Sequence, residues 1–261
     1  MTSSAPPPPP ASTDGSRVAL VVGATGGIGA AAARRLAALG FDLVLNGRRE
    51  SVLAGLAEEL SARTVRGDPN EPDVARALAD AVADGVDVVV HASGILKGGP
   101  VRQQDIATFD EVLTTNLRSV YAVVHAVLPH VRVGGRIMLV SSTSATRPMR
   151  GLTAYSAAKS GVNAFAMALA AELEPEGINV SLVSPGAVAT PMMDKSVNAF
   201  SSLTADDVAE VIGWLACLPP RMVVPDVTFR APFRGPFVSM YGGSGTEGLD
   251  LSDLRAQKGY S

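Results

Sequence analysis

The chain has 261 residues, of which 47% are hydrophobic, 18% are charged and only 5% are aromatic. This composition suits one large domain whose core is built mainly from small aliphatic side chains. A formal net charge of −3 argues against a nucleic-acid-binding surface, which needs a strongly basic patch. The one cysteine, Cys217, excludes a disulfide framework and is expected to be a buried, inert thiol. With only three scattered histidines beside it, no structural metal site is expected.

The two ends of the chain differ in composition from the middle. Residues 1–16 are rich in proline and small polar residues and lack the basic and apolar regions of a signal peptide. We therefore expect a disordered extension, partly of polyproline II type, on a cytoplasmic protein; a ligand for a proline-binding partner is the less favoured alternative. No apolar run is long enough to span a bilayer, so no membrane association is expected. Residues 233–261 are glycine-rich and are predicted to be irregular or an arm on a neighbouring subunit.

Between these ends, in residues 17–232, short β-branched apolar runs alternate with longer segments rich in alanine and leucine. The apolar runs predict strands over 18–22, 43–45, 64–66, 86–90, 135–140, 178–183 and 224–229. Helices are predicted over the intervening segments 30–39 and 52–60. Nearly continuous apolar strands that alternate with helices indicate a parallel sheet covered on both faces, a doubly wound α/β fold of Rossmann type.

The first predicted strand leads into the glycine-rich stretch Gly23-Ala24-Thr25-Gly26-Gly27-Ile28-Gly29 and then into a helix. Glycines at such a turn allow the backbone to approach a pyrophosphate at the positive N-terminus of the helix. The spacing is Gly-x-x-x-Gly-x-Gly rather than the commoner Gly-x-Gly-x-x-Gly. A plain tight turn is the alternative interpretation, but the strand-to-helix context favours a nucleotide site.

The choice between NAD and NADP should depend on the end of the second strand, Leu45-Asn46-Gly47-Arg48-Arg49. An acidic residue there would hold the ribose hydroxyl of NAD, and none is present. A guanidinium at this position suits the 2′-phosphate of NADP, and Arg48 is the better candidate. The alternative is that both arginines begin a solvated helix.

Tyr155 and Lys159 lie four residues apart in a segment of small residues, so a helix would place them on one face. A free tyrosine has a pKa of about 10, which is poorly matched to proton transfer at neutral pH. An ammonium about 5 Å from a phenolate favours ionisation by about 3 kcal/mol at an effective dielectric constant of about 20. The pair therefore predicts a Tyr155 pKa lowered by roughly 2 units.

Several motifs in this order resemble the short-chain dehydrogenase/reductase family over residues 17–232. They are Gly23, Gly27 and Gly29, Asp68, Asn116 in Thr115-Asn116-Leu117, Ser142 in Val140-Ser141-Ser142-Thr143, Tyr155 with Lys159, and Pro185-Gly186-Ala187-Val188-Ala189-Thr190. Any one of these could arise by chance, whereas the set as a whole is specific.

The resemblance implies a role for each matching residue. Tyr155 would be the general acid in carbonyl reduction and the base in alcohol oxidation, and Ser142 would orient the carbonyl. Lys159 would bind the nicotinamide ribose, and Asn116 would hold a water in a proton relay. The remaining implied cofactor contacts are Val188 and Thr190 to the carboxamide, Asp68 to the adenine, and Gly23, Thr25, Gly27, Ile28, Gly29, Gly94, Pro185 and Gly186 around the nucleotide.

One motif departs from the family pattern, and the substrate-binding segments have no clear pattern. His91-Ala92-Ser93-Gly94 stands where the family usually has Asn-Asn-Ala-Gly, and we expect His91 to be structural rather than catalytic. The segment between Met193 and Leu203 stands where the family places a mobile lid, and its shortness would imply a fairly open pocket. Arg147 and Arg150 could meet a substrate carboxylate, although a solvent-facing role is favoured.

These features predict an NADP(H)-dependent reductase or dehydrogenase for a small ketone, aldehyde or hydroxy acid. Residues 203–220 are similar to the branch that contains NADP-dependent 3-hydroxy acid and serine dehydrogenases. A non-redox epimerase or dehydratase of the same fold and a catalytically silent NADP-binding sensor or scaffold are the alternatives.

The segment 164–173 is apolar nearly all round, which favours burial on more than one side and a subunit interface. A homodimer or homotetramer, common in the family, would fit.

Overall fold

The computed structural model describes residues 17–190 and 202–232. The predicted tails, 1–16 and 233–261, lie outside the described residues, as does nearly all of the predicted lid segment. Within the described residues Cys217 is buried, as expected. None of the helices in these two ranges combines the length and apolar character that a membrane crossing requires.

Within the described ranges, seven strands form one parallel sheet in the order β3-β2-β1-β4-β5-β6-β7. Their bounds are β1 Arg17–Val22, β2 Phe41–Gly47, β3 Arg63–Arg66, β4 Val86–His91, β5 Val131–Val140, β6 Asn179–Pro185 and β7 Asp226–Phe229. Every predicted strand is present, although β5 begins at Val131 rather than Gly135. The predicted parallel sheet is confirmed.

In the part of the chain that the structure describes, seven α-helices connect the strands and cover both faces of the sheet. Their bounds are α1 Gly27–Ala38, α2 Glu50–Leu60, α3 Pro72–Ala81, α4 Ile106–Leu113, α5 Ser119–Val127, α6 Thr153–Leu173 and α7 Ala205–Ala216. The chain between α4 and α5, Thr114–Arg118, is π-helical. The predicted helix after the glycine turn begins earlier than expected, at Gly27, because the glycines themselves form its first turn.

Alternate side chains of each strand point to opposite faces, which produces two separate apolar layers. Leu20 and Val22 belong to the layer under α3, α5 and α6, whereas Ala19 and Val21 belong to the layer under α1, α2 and α7. Because both faces are covered, the central strands β1 and β4 are apolar at most positions, whereas the edge strands β3 and β7 alternate with polar residues. The doubly wound α/β fold is thereby confirmed.

The chain moves from β1 to β2 on one side and returns to β4 on the other side of β1. The loops that follow β1 and β4 therefore diverge, and they leave a crevice outside the carboxyl ends of these strands. The backbone N–H of Ala92 donates to the carbonyl of Val22 at 2.9 Å, which fixes the two loops side by side. In doubly wound folds, this crevice is where ligands bind.

Candidate functional site

The residues singled out by the sequence gather at the carboxyl edge of the sheet. They are Gly23, Thr25, Gly27, Ile28 and Gly29 after β1, Arg48 after β2, Asp68 after β3, Gly94 after β4, Ser142 after β5, Pro185, Gly186, Val188 and Thr190 at and after the end of β6, and Asn116, Tyr155 and Lys159 on the helices beside them. Parallel strands bring these positions together because all their carboxyl ends share one edge.

The turn after β1 has no room for side chains. Gly23 has a φ of +82°, and a Cβ there would lie 2.6 Å from the backbone nitrogen of Ser93. A Cβ on Gly29 would lie 2.2 Å from the carbonyl oxygen of Gly23. Helix α1 starts after Gly26, which has no side chain to cap it, and no acidic residue occupies its first turn. The first N–H groups of α1 are therefore available to an anionic ligand.

Two arginines follow β2, and they differ in what they contact. The Arg49 guanidinium donates a hydrogen bond to the carbonyl of Thr25, and so braces the glycine turn. Arg48 is exposed and has no hydrogen-bond or ion-pair partner among the described residues. Asn46, buried at the tip of β2, donates to the carbonyls of Val65 at 2.9 Å and Gly67 at 3.3 Å. Asn46 thus occupies the position where NAD-binding folds place an acid, and its amide links β2 to the end of β3.

Asp68 lies beside this arginine pair because the N–H of Gly67 donates to the carbonyl of Gly47 at 3.2 Å. One carboxylate oxygen of Asp68 accepts from both the backbone nitrogen and the side-chain amide of Asn70, each at 2.9 Å. The half-buried side chain is therefore held in one orientation at the end of β3.

Asn116 is fully buried in the π-helical stretch, where its amide bonds to the backbone. Its Nδ2 donates to the carbonyls of Ile95 at 3.0 Å and Val112 at 2.9 Å, and its Oδ1 accepts from the N–H of Ile95 at 3.2 Å. Both amide protons are thus used, and one lone pair of Oδ1 is left. A Cβ on Gly94 would lie 2.6 Å from this Oδ1 and 3.7 Å from Lys159 Nζ, so Asn116 and Lys159 flank Gly94.

Ser142 and Tyr155 form a pair of hydroxyl groups across the loop after β5. Ser142 accepts a hydrogen bond from the backbone N–H of Ser144 at 3.1 Å, which starts the 3-10 turn Thr143–Ala145. Burial raises the pKa of Tyr155 above 10, and a hydrogen bond to the Ser142 side chain partly offsets that rise. At neutral pH the phenol therefore keeps its proton.

Lys159 lies one helical turn beyond Tyr155 on α6, as the spacing predicted. Its Nζ donates to the carbonyl of Val140 at 2.8 Å and lies 5.8 Å from the centroid of the Tyr155 ring. Burial lowers the pKa of Lys159 to about 8, because an ammonium loses hydration in the interior. The amine is still mostly protonated at neutral pH.

The expected fall in the Tyr155 pKa is wrong. The charge of Lys159 favours the phenolate, but burial of the phenol disfavours it and is the larger effect here. In addition, the Lys159 ammonium is directed to the carbonyl of Val140. The pKa of Tyr155 is therefore raised rather than lowered.

His91, the departure from the family pattern, is buried at the end of β4. Its Nε2 lies 3.2 Å from the hydroxyl of Ser119, which itself donates to the carbonyl of Thr115 at 2.7 Å. Because a hydroxyl carries one proton, Nε2–H of a neutral imidazole is the donor to Ser119. Burial, helped by the charge of Lys159, lowers the pKa of His91 to about 3. These contacts support the expected structural role.

The loop after β6 holds the remaining predicted residues. The N–H of Gly186 donates to the carbonyl of Phe229 at 2.8 Å, which ties the loop to the end of β7. Val188 is buried and forms a parallel bridge with Leu203. Thr190, half-buried, is the last residue before the segment 191–201, which lies outside the described residues.

Two contributors to this region had no motif in the sequence. Arg230 follows β7 and packs against the loop, since a Cβ on Gly186 would lie 2.8 Å from Arg230 Cβ. Ser119, the hydrogen-bond partner of His91, is the first residue of α5. The position of Arg230 just past a predicted parallel strand was the one available signal, because such positions share the functional edge.

The fold and site define a Rossmann-type α/β protein with a Ser-Tyr-Lys cluster beside the crevice of the sheet. A sequence model described as short chain dehydrogenase matches residues 17–200. The chain belongs to this family, and the resemblance inferred from the motifs is confirmed.

Named relatives place the chain among oxidoreductases. It is 33% identical over 231 residues to sulfoacetaldehyde reductase 2 of Chromohalobacter salexigens, a match covering 80% of this chain and 92% of the relative. It is 36% identical over 236 residues to the monensin polyketide synthase putative ketoacyl reductase of Streptomyces virginiae, with coverages of 77% and 90%. A short chain dehydrogenase from Burkholderia cenocepacia, crystallised with NADP, superposes with a TM-score of 0.74 at 31% identity and coverages of 81% and 95%.

Proposed function

We propose that this oxidoreductase uses NADP(H) to reduce a carbonyl compound to an alcohol, or to run the reverse reaction, with Tyr155 as the general acid or base. The observation that carries the proposal is the Ser142–Tyr155 hydroxyl pair beside the Lys159 ammonium, at the mouth of the crevice. A sensor or scaffold that only binds NADP would not need a proton-donating side chain at this position.

The residues around the crevice fit a bound NADP(H). The uncapped first turn of α1 fits the pyrophosphate, and the unpartnered guanidinium of Arg48 fits the 2′-phosphate. Asp68 would meet the adenine, Lys159 the nicotinamide ribose, and the loop with Val188 and Thr190 the carboxamide. The structural relative crystallised with NADP supports the same cofactor.

In the proposed reaction, bound NADPH supplies the hydride, and the protein supplies orientation and the proton. Ser142 hydrogen-bonds the carbonyl oxygen and orients it toward Tyr155. Tyr155 donates its proton to that oxygen, and its raised pKa keeps the proton available at neutral pH. The Lys159 ammonium stabilises the phenolate that develops. Because the pKa of Tyr155 is raised, the protonated phenol, the form that reduction needs, is the resting form at neutral pH.

Asn116 is proposed to hold a water that passes a proton through Lys159 back to Tyr155 after each turnover. It flanks Gly94 together with Lys159, and its Oδ1 keeps one lone pair for a water. This arrangement supports the predicted relay through Asn116 to Lys159.

The proposal is tested by mixing purified protein with NADPH and a panel of small ketones, aldehydes and oxo acids. We expect NADPH absorbance to fall with at least one of them, and the matching alcohol to restore it with NADP⁺. Tight NADPH binding without turnover across the panel would contradict the reductase and favour the silent sensor.

Arg48→Ala should weaken NADPH binding about tenfold and leave NADH binding unchanged, because only NADPH carries the 2′-phosphate that a charge-assisted hydrogen bond would hold. Dissociation constants for both nucleotides, measured by calorimetry, check this. Arg49→Ala is the matched control: it removes the brace on Thr25 and should affect both nucleotides alike. An unchanged NADPH affinity in Arg48→Ala would count against the phosphate contact.

A homodimer or homotetramer is part of the proposal. Helix α6 is buried on one side, and the outer surface of α5 and α6 carries Met167, which is 70% exposed, and Tyr121, which is 58% exposed and packs edge-on against Phe165. This apolar face fits a second copy of the chain.

A cytoplasmic location stays a prediction from the sequence.

A further inference from the structure

A second feature of the carboxyl edge lies on the far side of Ser142 from the nucleotide crevice. It is a cavity of about 300 Å³ between the turn after β5 and the end of β7. Its lining consists of Thr143, Thr146, Arg147, Thr228, Phe229 and Arg230. Thr143 directly follows Ser142, so the cavity opens next to the proposed reaction centre.

The lining is positively charged. Arg147 and Arg230 contribute two guanidinium groups, and no lining residue is acidic. Neither arginine forms an ion pair with any residue in 17–190 or 202–232; Arg230 Nη1 donates to the carbonyl of Ala231 at 3.2 Å. The nearest acid in sequence, Asp226, accepts from the hydroxyl of Thr228 at 2.7 Å. Two cations that lack a counter-ion among the described residues favour an anion in the space between them.

The backbone segments that carry Arg147 and Arg230 are each held in place by contacts with neighbouring elements. The N–H of Arg147 donates to the carbonyl of Thr143 at 2.9 Å, and the Ser160 hydroxyl, next to Lys159, donates to the carbonyl of Ala145 at 2.7 Å. On the other wall, Arg230 packs against Gly186. The cavity is thus attached to the same two elements, α6 and the loop after β6, that hold the proposed reaction centre.

The cavity is distinct from the site proposed for the 2′-phosphate. Arg48 follows β2, and Arg230 follows β7, five strands away in the sheet. At about 4.8 Å per strand, the two ends are separated by roughly 24 Å. One anion cannot bind to both.

We propose that Arg147 and Arg230 bind an anionic group on the substrate, a carboxylate, sulfonate or phosphate at the end remote from the reacting carbonyl. The inference rests on the proposed reductase function and narrows its substrate class to negatively charged carbonyl compounds. A guanidinium pairs with the oxygens of all three groups through two parallel hydrogen bonds. Arg147, for which the sequence favoured a solvent-facing role, is exposed but faces this cavity with Arg230; Arg150 is not part of the lining.

Binding without turnover tests the anion site directly. With NADPH in excess, which cannot oxidise an alcohol, 4-hydroxybutanoate and its neutral analogue 4-hydroxybutanamide are titrated into the protein by calorimetry. We expect the carboxylate to bind about tenfold more tightly, and Arg147→Gln or Arg230→Gln to remove most of this preference. Arg221→Gln is the control, an exposed arginine at the opposite edge of the sheet, and it should keep the preference. Equal binding of the two compounds to the unmutated protein would overturn the proposal.

Turnover separates this proposal from the reductase itself. The oxidation of NADPH is followed with 4-oxobutanoate and with 4-oxobutanamide. Reduction of both at equal kcat/KM overturns the anion site and leaves the reductase standing. Charge-selective binding that depends on both arginines, without reduction of either compound or of any carbonyl in the panel, overturns the reductase and supports the anion site.

Discussion

Tyr155→Phe should lower kcat for carbonyl reduction roughly a thousandfold, the typical contribution of a positioned proton donor. The substitution removes only the hydroxyl, which is the atom hydrogen-bonded to Ser142 and proposed to donate the proton. NADPH affinity and the free energy of unfolding should stay close to those of the unmutated protein, because the ring and the contact of Lys159 with Val140 are retained. Initial rates at saturating substrate, with calorimetric NADPH binding, check this.

Tyr121→Phe is the matched control for this experiment. Tyr121 is exposed on α5 and stacks on His125 through its ring, which phenylalanine preserves. Its kcat should match that of the unmutated protein. If Tyr155→Phe retained more than about a tenth of the activity, its proton would have to come from another group, and the role assigned to Tyr155 would be wrong.

Removing the imidazole of His91 should make the protein less sensitive to acid. The pKa of His91 is about 3 in the folded protein and 6.5 when exposed, so the unfolded chain binds a proton that the folded chain does not. The free energy of unfolding therefore falls as pH drops below 6.5 and continues to fall until about pH 3. Between about pH 7.5 and about pH 5 the loss due to His91 alone is about 2 kcal/mol.

His91→Gln is the variant that isolates this effect, because a glutamine amide can replace Nε2–H as the donor to Ser119 without titrating. Urea unfolding at the two pH values should show a fall in the variant that is about 2 kcal/mol smaller than in the unmutated protein. His125→Asn, a change on the exposed part of α5, should keep the original slope. An identical slope in His91→Gln would mean that the buried imidazole accepts a proton in the folded state, against the neutral donor assigned to it.

The doubly wound fold could be predicted because its signals are local. Most strands contain a short run of apolar residues, and the two helices predicted between them, 30–39 and 52–60, overlap α1 and α2. The i, i+4 relation of Tyr155 and Lys159 likewise needs only the geometry of one helix, and α6 has it. The glycine turn was recognisable because only residues without a Cβ fit where Gly23 and Gly29 lie.

The contacts that decide the chemistry join residues far apart in the chain. Asn116 bonds to Ile95, Lys159 to Val140, and His91 to Ser119, and no periodicity in the sequence indicates these pairs. Such pairs depend on the π-helical stretch and on the order of strands in the sheet.

The sequence by itself determined the class of fold, the family and the residue types at the edge of the sheet, because helices, strands and tight turns follow from neighbouring residues. Only the tertiary structure decided the electrostatics. The pKa of Tyr155 depends on the total burial of its phenol, which outweighs the one lysine visible in the sequence. The meeting of Arg147 with Arg230 likewise requires β5 and β7 to end at the same edge, a consequence of strand order that no local pattern contains.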